Sequence, residues 1–90
     1  GRGKSMRKLK YVITDPEGIH ARPAGELVKA VKDFQSAITI SKDGKSADAK
    51  RIIGIMGLAV KKDQEITVTA EGEDEASAIA AIDTFLKKNL

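Results

Sequence analysis

The sequence predicts an α+β fold, an open-faced β-sandwich in which a four-stranded antiparallel sheet is covered on one face by three helices. Three observations predict it. Strand and helix periodicities follow one another in the order β-α-β-β-α-β-α. The Asp43-Gly44 pair between the second and third strands is a strong hairpin signal. Ninety residues without cysteine suffice for one core that needs no disulfide, so we expect residues 6–90 to form a single domain.

The first strand and the first helix are predicted by a change of period on either side of a turn. The turn is the Asp-Pro-Glu-Gly sequence at 15–18. Before it, apolar residues stand at alternate positions, at Leu9, Tyr11 and Ile13. After it, apolar residues recur at helical spacing, at Ala24, Leu27, Val28 and Val31. We therefore predict a strand up to about residue 14 and a helix over about 21–33.

The middle of the chain predicts a β-hairpin followed by a short helix. Residues 37–41 alternate cleanly, and residues 45–50 are expected to return as a weakly apolar strand at the edge of the sheet. Four apolar residues at helical spacing then mark the short helix and are expected to face the core: Ile52, Ile55, Met56 and Ala59. Ile53 would lie about 100° round this helix from Ile52, at the flank of the apolar face.

The last strand and helix have the clearest boundaries. Residues 65–70 alternate strictly, and the turn at 71–73 leads into a helix for which Asp74 is a suitable N-cap. Glu75 in the first turn and two lysines in the last turn complement the helix dipole. The buried stripe of this helix is predicted to be Ile79, Ile82, Phe85 and Leu86.

The composition excludes several classes of site. The absence of cysteine rules out disulfides and thiolate metal sites, and a single histidine argues against structural zinc, so we predict neither a metal nor a cofactor. The longest apolar run, at 52–60, is only nine residues and contains two glycines, which is too short to cross a bilayer. We therefore expect no direct membrane insertion.

The charge balance argues against a nucleic-acid partner. The chain has 16 basic and 13 acidic residues, a formal net charge of +3. Residues 1–5, ahead of Met6, have the character of a cloning remnant. Without Arg2 and Lys4 the count is 14 basic against 13 acidic, a net charge of +1. A nearly balanced charge and only three aromatic residues provide neither a basic face nor a base-stacking surface.

The candidate functional residue is His20, the only histidine, which stands at the predicted start of the first helix. A lone histidine there is usually a cap or a solvated side chain. Histidine is, however, a poor N-cap, and Arg22 is unfavourable at the positive end of a helix unless an anion is bound. Free backbone N–H groups, the helix dipole and Arg22 together suit a phosphate group. A neutral His20 imidazole beside such an anion site is suited to act as a nucleophile that carries a phosphoryl group.

The segment Gly-Ile-His-Ala-Arg-Pro-Ala at 18–24 resembles the active-site motif of the HPr family, the histidine-containing phosphocarriers of the bacterial sugar phosphotransferase system. Gly-Ile-Met-Gly-Leu-Ala-Val at 54–60 resembles a second segment of that family. Ala-Glu-Gly-Glu-Asp-Glu-Ala at 70–76 resembles the start of its last helix. The resemblance extends from Met6 to Leu90 and implies the same fold that the periodicities predict.

The resemblance implies a phosphoryl relay in the cytoplasm, by a carrier and not an enzyme. In this family, enzyme I, itself phosphorylated by phosphoenolpyruvate, passes the phosphoryl group to Nδ1 of the histidine that matches His20. The group then goes to a sugar-specific enzyme IIA. Arg22 would pair with the phosphoryl oxygens, and the backbone N–H groups of Ala21 and Arg22 would bind them. The resemblance also implies an apolar docking surface made by Ala21, Ala24, Ile53 and Met56. A relay must free this surface between partners, so we expect a monomer.

One position departs from many Gram-positive members of the family, which have a regulatory serine at the start of the second helix. Arg51 stands at that position and cannot accept a phosphoryl ester, so no regulatory serine is expected there. Three alternatives remain open: an HPr-like paralogue with a regulatory or nitrogen-related role, a nucleic-acid-binding module, and an interaction domain with an inert His20.

Overall fold

The computed structural model describes residues 6–90, and these residues form the predicted fold. The strands are β1 (Arg7–Val12), β2 (Ala37–Lys42), β3 (Lys45–Asp48) and β4 (Glu65–Glu71). The helices are α1 (Ala21–Val31), α2 (Ile52–Gly57) and α3 (Glu75–Asn89). The open-faced β-sandwich with the order β-α-β-β-α-β-α is therefore confirmed. Residues 1–5, which we interpreted as a cloning remnant, lie outside the described residues.

The antiparallel sheet has the strand order β1-β4-β2-β3, so β3 lies at an edge as predicted. The two central strands pair in a register that sets Ile40 opposite Val68 and Ile38 opposite Ala70. All four of these side chains are buried, whereas the residues between them are partly exposed. This alternation gives the sheet one face for the core and leaves the other toward solvent.

The hairpin between β2 and β3 forms at the predicted pair. Asp43 has φ 51° and Gly44 has φ 82°, which are the two positive values that a tight two-residue hairpin of this hand requires. The strand β3 ends at Asp48, two residues before the prediction. It ends there because the Asp48 carboxylate accepts a hydrogen bond from the Lys50 N–H (2.9 Å) and its carbonyl accepts one from the Arg51 N–H (3.0 Å). These bonds turn the chain into α2.

The helix α2 corrects the prediction of its core-facing side. Of the four residues expected to face the core, Ile55 is buried, whereas Ile52 and Met56 are exposed. The reason is the close approach of α2 to β3, since a Cβ added at Gly54 would lie 3.3 Å from Cβ of Ala47. This contact turns 54, 55 and 58 inward and 52, 53 and 56 outward. Ala59 lies beyond the helix end, with φ 50°, and is exposed.

The helix α3 begins at the predicted residue but without the predicted cap. Among the described residues, Asp74 makes no side-chain cap hydrogen bond. Its carboxylate instead accepts hydrogen bonds from the N–H groups of Gln35 (2.7 Å) and Ser36 (2.9 Å) and from the Ser36 hydroxyl. The Glu75 carboxylate accepts the Gly72 N–H (3.1 Å). The N-terminus of α3 is thereby tied to the turn that follows α1, which ends at Val31 and not at the predicted 33.

The core lies between the sheet and the helices. In α3 its buried apolar residues are Ala78, Ile82 and Leu86, whereas Ile79 and Phe85, which we predicted to be buried, are partly buried at its margin. From α1 it receives Pro23, Ala24, Leu27 and Val31. The two helices that contribute most apolar surface therefore pack along the same face of the sheet.

Candidate functional site

His20 stands at the N-cap position of α1, as the sequence predicts. Its backbone is extended (φ −95°, ψ −175°), and its carbonyl accepts the first hydrogen bond of the helix from the Ala24 N–H at 3.0 Å. Within residues 6–90 the imidazole makes no cap hydrogen bond. Its side chain is about one-third exposed. The ring is therefore at the surface, and helix capping does not occupy its nitrogens.

The loop before His20 is fixed by Gly18. This glycine has φ +68°, and a Cβ on it would approach the Val60 carbonyl oxygen to 2.2 Å, so no larger residue fits. The same carbonyl accepts a hydrogen bond from the N–H of the buried Ile19 at 3.0 Å. The segment that follows α2 therefore sets the position from which His20 enters the helix.

The end of α3 fixes the other side of this loop. The Leu90 carbonyl accepts hydrogen bonds from the Thr14 N–H (2.6 Å), the Thr14 hydroxyl (2.9 Å) and the Asp15 N–H (3.0 Å). Leu90 itself is buried. Three segments that are distant in sequence thus converge on the loop that carries His20.

Two carboxylates that the sequence analysis did not single out face the imidazole. Asp15 Oδ2 lies 3.7 Å from His20 Nε2, and Glu17 Oε1 lies 3.9 Å from His20 Nδ1. Both distances are longer than a hydrogen bond and within the range of an ion pair with a charged imidazole. Their signal in the sequence is the acidic Asp-Pro-Glu-Gly turn directly before the motif. The site therefore holds negative charge as well as the positive end of a helix.

Arg22 lines the same shallow depression as His20, together with Asp15, Pro23, Glu26 and Asn89. Its side chain is exposed, and its Nε lies 3.9 Å from Glu26 Oε2 one turn along the helix. Such a solvent-exposed ion pair contributes little stability, so it does not fix the guanidinium. Arg22 can therefore turn toward an anion bound beside His20.

The start of α1 supplies backbone donors beside the ring. Ala21 and Arg22 are the first two residues of the helix, and N–H groups at such positions have no acceptor within the helix. Pro23, the third, has no N–H and is buried. The helix dipole adds positive charge at the same place. An anion on His20 would meet two donors and one guanidinium, an arrangement suited to phosphate oxygens.

An apolar patch lies on α2 and consists of Ile52, Ile53 and Met56, all of them exposed. Ile53 is 84% exposed, so its side chain takes no part in the core. A Cβ added at Gly25 of α1 would lie 3.6 Å from Cδ1 of Ile52, so the patch borders the first turns of α1. Ile53 and Met56 are predicted docking residues, whereas Ile52, which the helical spacing assigns to the core, is an addition that the structure makes to this surface.

The two other predicted docking residues, Ala21 and Ala24, differ in their exposure. Ala21 is exposed at the start of α1 and lies beside the histidine. Ala24, in contrast, is 0% exposed and packs in the core, so the prediction that it contacts a partner is wrong. Three residues along the helix correspond to about 300° of rotation, so Ala24 points about 60° away from Ala21 and shares the buried face with Leu27.

Arg51 stands at the N-cap of α2 and is exposed, next to the apolar patch. None of the three helices between residues 6 and 90 combines the length and the apolar character that a membrane span requires. The same part of the chain contains no group of three or more histidine, cysteine, aspartate or glutamate side chains placed to hold a metal ion.

Comparison with known proteins agrees with this geometry. A family model described as the PTS HPr component phosphorylation site matches residues 8–88. The phosphocarrier protein HPr of Lysinibacillus sphaericus is 44% identical over 81 residues, which cover 90% of this chain and 92% of that protein. The structure of the Mycoplasma histidine-containing phosphocarrier protein superimposes with a TM-score of 0.89 at 40% identity, covering 91% of this chain and 93% of that one.

A third relative is named for catabolite repression. Crh of Bacillus subtilis, a catabolite repression protein solved as a domain-swapped, intertwined dimer, has a TM-score of 0.75 and 35% identity. The match covers 89% of this chain and 92% of that one. The same fold thus occurs in a phosphocarrier and in a protein named for catabolite repression.

Proposed function

Because the chain belongs to the HPr family of phosphocarriers, we propose that it carries a phosphoryl group on Nδ1 of His20. It accepts the group from phosphorylated enzyme I and passes it to a sugar-specific enzyme IIA. The observation that carries this proposal is the uncapped imidazole of His20 at the start of α1, beside Ala21 and Arg22. The protein acts as a transiently phosphorylated carrier and not as an enzyme, since it must be phosphorylated and dephosphorylated once in each cycle.

The transfer itself needs only a lone pair and an anion site. The Nδ1 lone pair attacks phosphorus, the P–N bond to His20 forms, and the bond from phosphorus to enzyme I breaks. The three non-bridging oxygens then receive hydrogen bonds from the N–H groups of Ala21 and Arg22 and from the Arg22 guanidinium. In the second step the same P–N bond breaks as a nucleophile of enzyme IIA attacks.

The exposure of the site suits a group that must leave again. A helix N-terminus and an exposed arginine stabilise an anion by roughly 1–2 kcal/mol each, which is far from a deep binding pocket. The acidic side chains of Asp15 and Glu17 oppose that stabilisation. The phosphoryl group would therefore be protected on His20 without being trapped there.

Partner docking is proposed for the apolar patch together with Ala21. An exposed apolar patch beside a reactive group is typical of a surface that binds other proteins. Because both partners must reach the same histidine, each would use this surface in turn. We propose that the chain works as a monomeric single domain in the cytoplasm, where both partners act, although Crh shows that a relative of this fold forms a dimer.

Regulation through a serine at the start of α2 is not part of this proposal, because Arg51 has no hydroxyl group. A second candidate is an HPr-like paralogue in a regulatory or nitrogen-related phosphorelay, and the likeness to a protein named for catabolite repression supports its regulatory form. Both candidates use His20 in the same way, so they differ in which proteins exchange the phosphoryl group.

The test is the intact mass of the protein after incubation with enzyme I, magnesium and phosphoenolpyruvate, with the His20→Ala variant as control. We expect a gain of one acid-labile phosphoryl group, absent from the control. Transfer onward to an enzyme IIA would then support the sugar relay over the paralogue. No gain, with an enzyme I proven active on another carrier, would contradict the proposed function.

A further inference from the structure

The two ring nitrogens of His20 face two different carboxylates. Nε2 is 3.7 Å from Asp15 Oδ2, and Nδ1 is 3.9 Å from Glu17 Oε1. A neutral imidazole has one N–H and one lone pair, and a carboxylate stabilises the N–H on whichever nitrogen it faces. The nitrogen that keeps its lone pair therefore depends on which carboxylate acts more strongly.

Asp15 is fixed in place by three hydrogen bonds. Its N–H donates to the Leu90 carbonyl (3.0 Å), its carbonyl accepts the Gly18 N–H (2.9 Å), and its Oδ1 accepts the Glu17 N–H (2.8 Å). The side chain is 24% exposed. Since Oδ1 is engaged by the backbone, the remaining oxygen, Oδ2, is the one that points at the ring.

Glu17 has no comparable support. Its side chain is 76% exposed, and within residues 6–90 the contact with Nδ1 is the interaction that its carboxylate makes. Water and salt screen such a charge, and holding a long side chain in one rotamer costs entropy. The other charged residues that line the depression, Arg22 and Glu26, pair with each other. Asp15 therefore dominates the choice of tautomer.

We propose that Asp15 is a positioning residue that holds the proton of neutral His20 on Nε2 and so leaves the Nδ1 lone pair free for phosphorus. The tautomer is a property of the unphosphorylated chain, whereas its effect on phosphoryl transfer to Nδ1 rests on the proposed function. The Nε2–Oδ2 distance must shorten by about 0.8 Å for a direct hydrogen bond, or one water must bridge it.

The variant Asp15→Asn tests the proposal. Its Oδ1 can still accept the Glu17 N–H, so the turn and the fold are retained, but an NH₂ group now faces Nε2 in place of Oδ2. That group donates to a lone pair on Nε2, so the proton should move to Nδ1. We expect ¹⁵N chemical shifts at about pH 9, where imidazoles are neutral, to report Nε2–H in the parent and mainly Nδ1–H in the variant. Phosphorylation by enzyme I should slow at least ~10-fold, as is usual for a wrong tautomer.

The matched control is Glu17→Gln, which removes the carboxylate charge facing the other nitrogen. It should leave the proton on Nε2. The proposal is overturned if the parent chain has its proton on Nδ1, if Asp15→Asn leaves it on Nε2, or if Glu17→Gln alone moves it. A different result separates the two claims: the parent has its proton on Nε2 and Asp15→Asn moves it to Nδ1, but enzyme I never phosphorylates the parent. That result supports the positioning role of Asp15 and overturns the proposed function instead.

Discussion

At the scale of single residues, His20 lies between groups that attract an anion and groups that repel one. The first N–H groups of α1 attract it, whereas Asp15 and Glu17 lie within 3.9 Å of the ring and repel it. These opposed charges reduce the net stabilisation of a bound phosphoryl group. A carrier needs this balance, because it must release to one partner what it takes from another.

Replacing Arg22 by alanine should slow phosphoryl transfer without harming the fold. The side chain is exposed and its ion pair with Glu26 is weak, so the free energy of unfolding should change by no more than about 0.5 kcal/mol. An exposed arginine stabilises the phosphoryl oxygens by roughly 1–2 kcal/mol, so the rate should fall about 5- to 30-fold. Denaturant unfolding and quenched-flow phosphorylation measure the two quantities. An unchanged rate would remove Arg22 from the mechanism.

Replacing Glu17 by glutamine should make phosphorylated His20 longer-lived. Glu17 Oε1 lies 3.9 Å from Nδ1, the atom that would carry the phosphoryl group. Two like charges at about that distance repel by about 1 kcal/mol in water, which corresponds to about fivefold in rate. The half-life of the isolated phosphoprotein, followed by intact mass, reports the effect. Glu73→Gln is a suitable control, because Glu73 is an exposed carboxylate in the turn before α3, which packs at the other end of α1. Equal half-lives in the parent, Glu17→Gln and Glu73→Gln would show that Glu17 turns away from the phosphoryl group.

The residues of the site were predictable only where the contacts are local. His20 and Arg22 lie in one continuous motif, so the start of a helix and their place on it follow from the sequence around them. The approach of Asp15 to the ring depends on the Leu90 carbonyl, which is 75 residues away in the chain. No local pattern contains that contact, so the role of Asp15 could be found only from the structure.

At the scale of elements, α2 shows why a short apolar helix is hard to orient from its sequence. Apolar residues occupy four of its six positions, so the spacing alone fits more than one buried face. The close contact of Gly54 with β3 selects the face that contains Ile55. Three apolar side chains are thereby left outside, and the apolar patch is the result. The strands and longer helices, whose patterns repeat more often, were predicted to within about two residues.

The N-terminus of α3 makes stability depend on pH through Asp74. The Ser36 hydroxyl and then the Gln35 N–H lower the pKa of this carboxyl by donating hydrogen bonds to its charged form. The folded chain therefore binds this proton less readily than the unfolded chain. The ionised Asp74 carboxylate therefore adds to the free energy of unfolding above the ordinary aspartate pKa. This stabilisation is lost as the pH falls below about 4, through the lowered pKa of the folded state.

The variant Asp74→Asn should consequently be less stable than the parent at pH 7, and this difference should shrink as the pH falls from about 4 toward 2. Denaturant unfolding at a series of pH values provides the measurement. Ser36→Ala, which removes the first of the donors, should show part of the same loss at pH 7. A difference between Asp74→Asn and the parent that stays constant over the whole range would show that the charge of Asp74 has no part in it.

At the scale of the whole molecule, one end of the domain carries all the proposed chemistry. The loop before α1, the segment after α2 and the end of α3 meet at His20, and the apolar patch adjoins the first turns of α1 through Ile52 and Gly25. The sheet contributes no side chain to the depression around His20 among the described residues. The core holds these loops in a fixed relation, so a single partner can cover the patch and reach the histidine at once.

This arrangement predicts that docking and chemistry can be separated by substitution. Ile53→Lys places a charge in the apolar patch, and since Ile53 is 84% exposed, the melting temperature should move by no more than about 2 °C. Loss of a central apolar contact costs a protein interface about 1–2 kcal/mol, so the KM of enzyme I for the carrier should rise about 5- to 30-fold. The half-life of phosphorylated His20 should not change, because its anion site is untouched. Met6→Lys is the matched control, since Met6 is also exposed and apolar but precedes β1, at the end of that strand away from the His20 loop. If both variants raise KM equally, or if Ile53→Lys shortens the phosphohistidine half-life instead, the patch is not a separate docking surface.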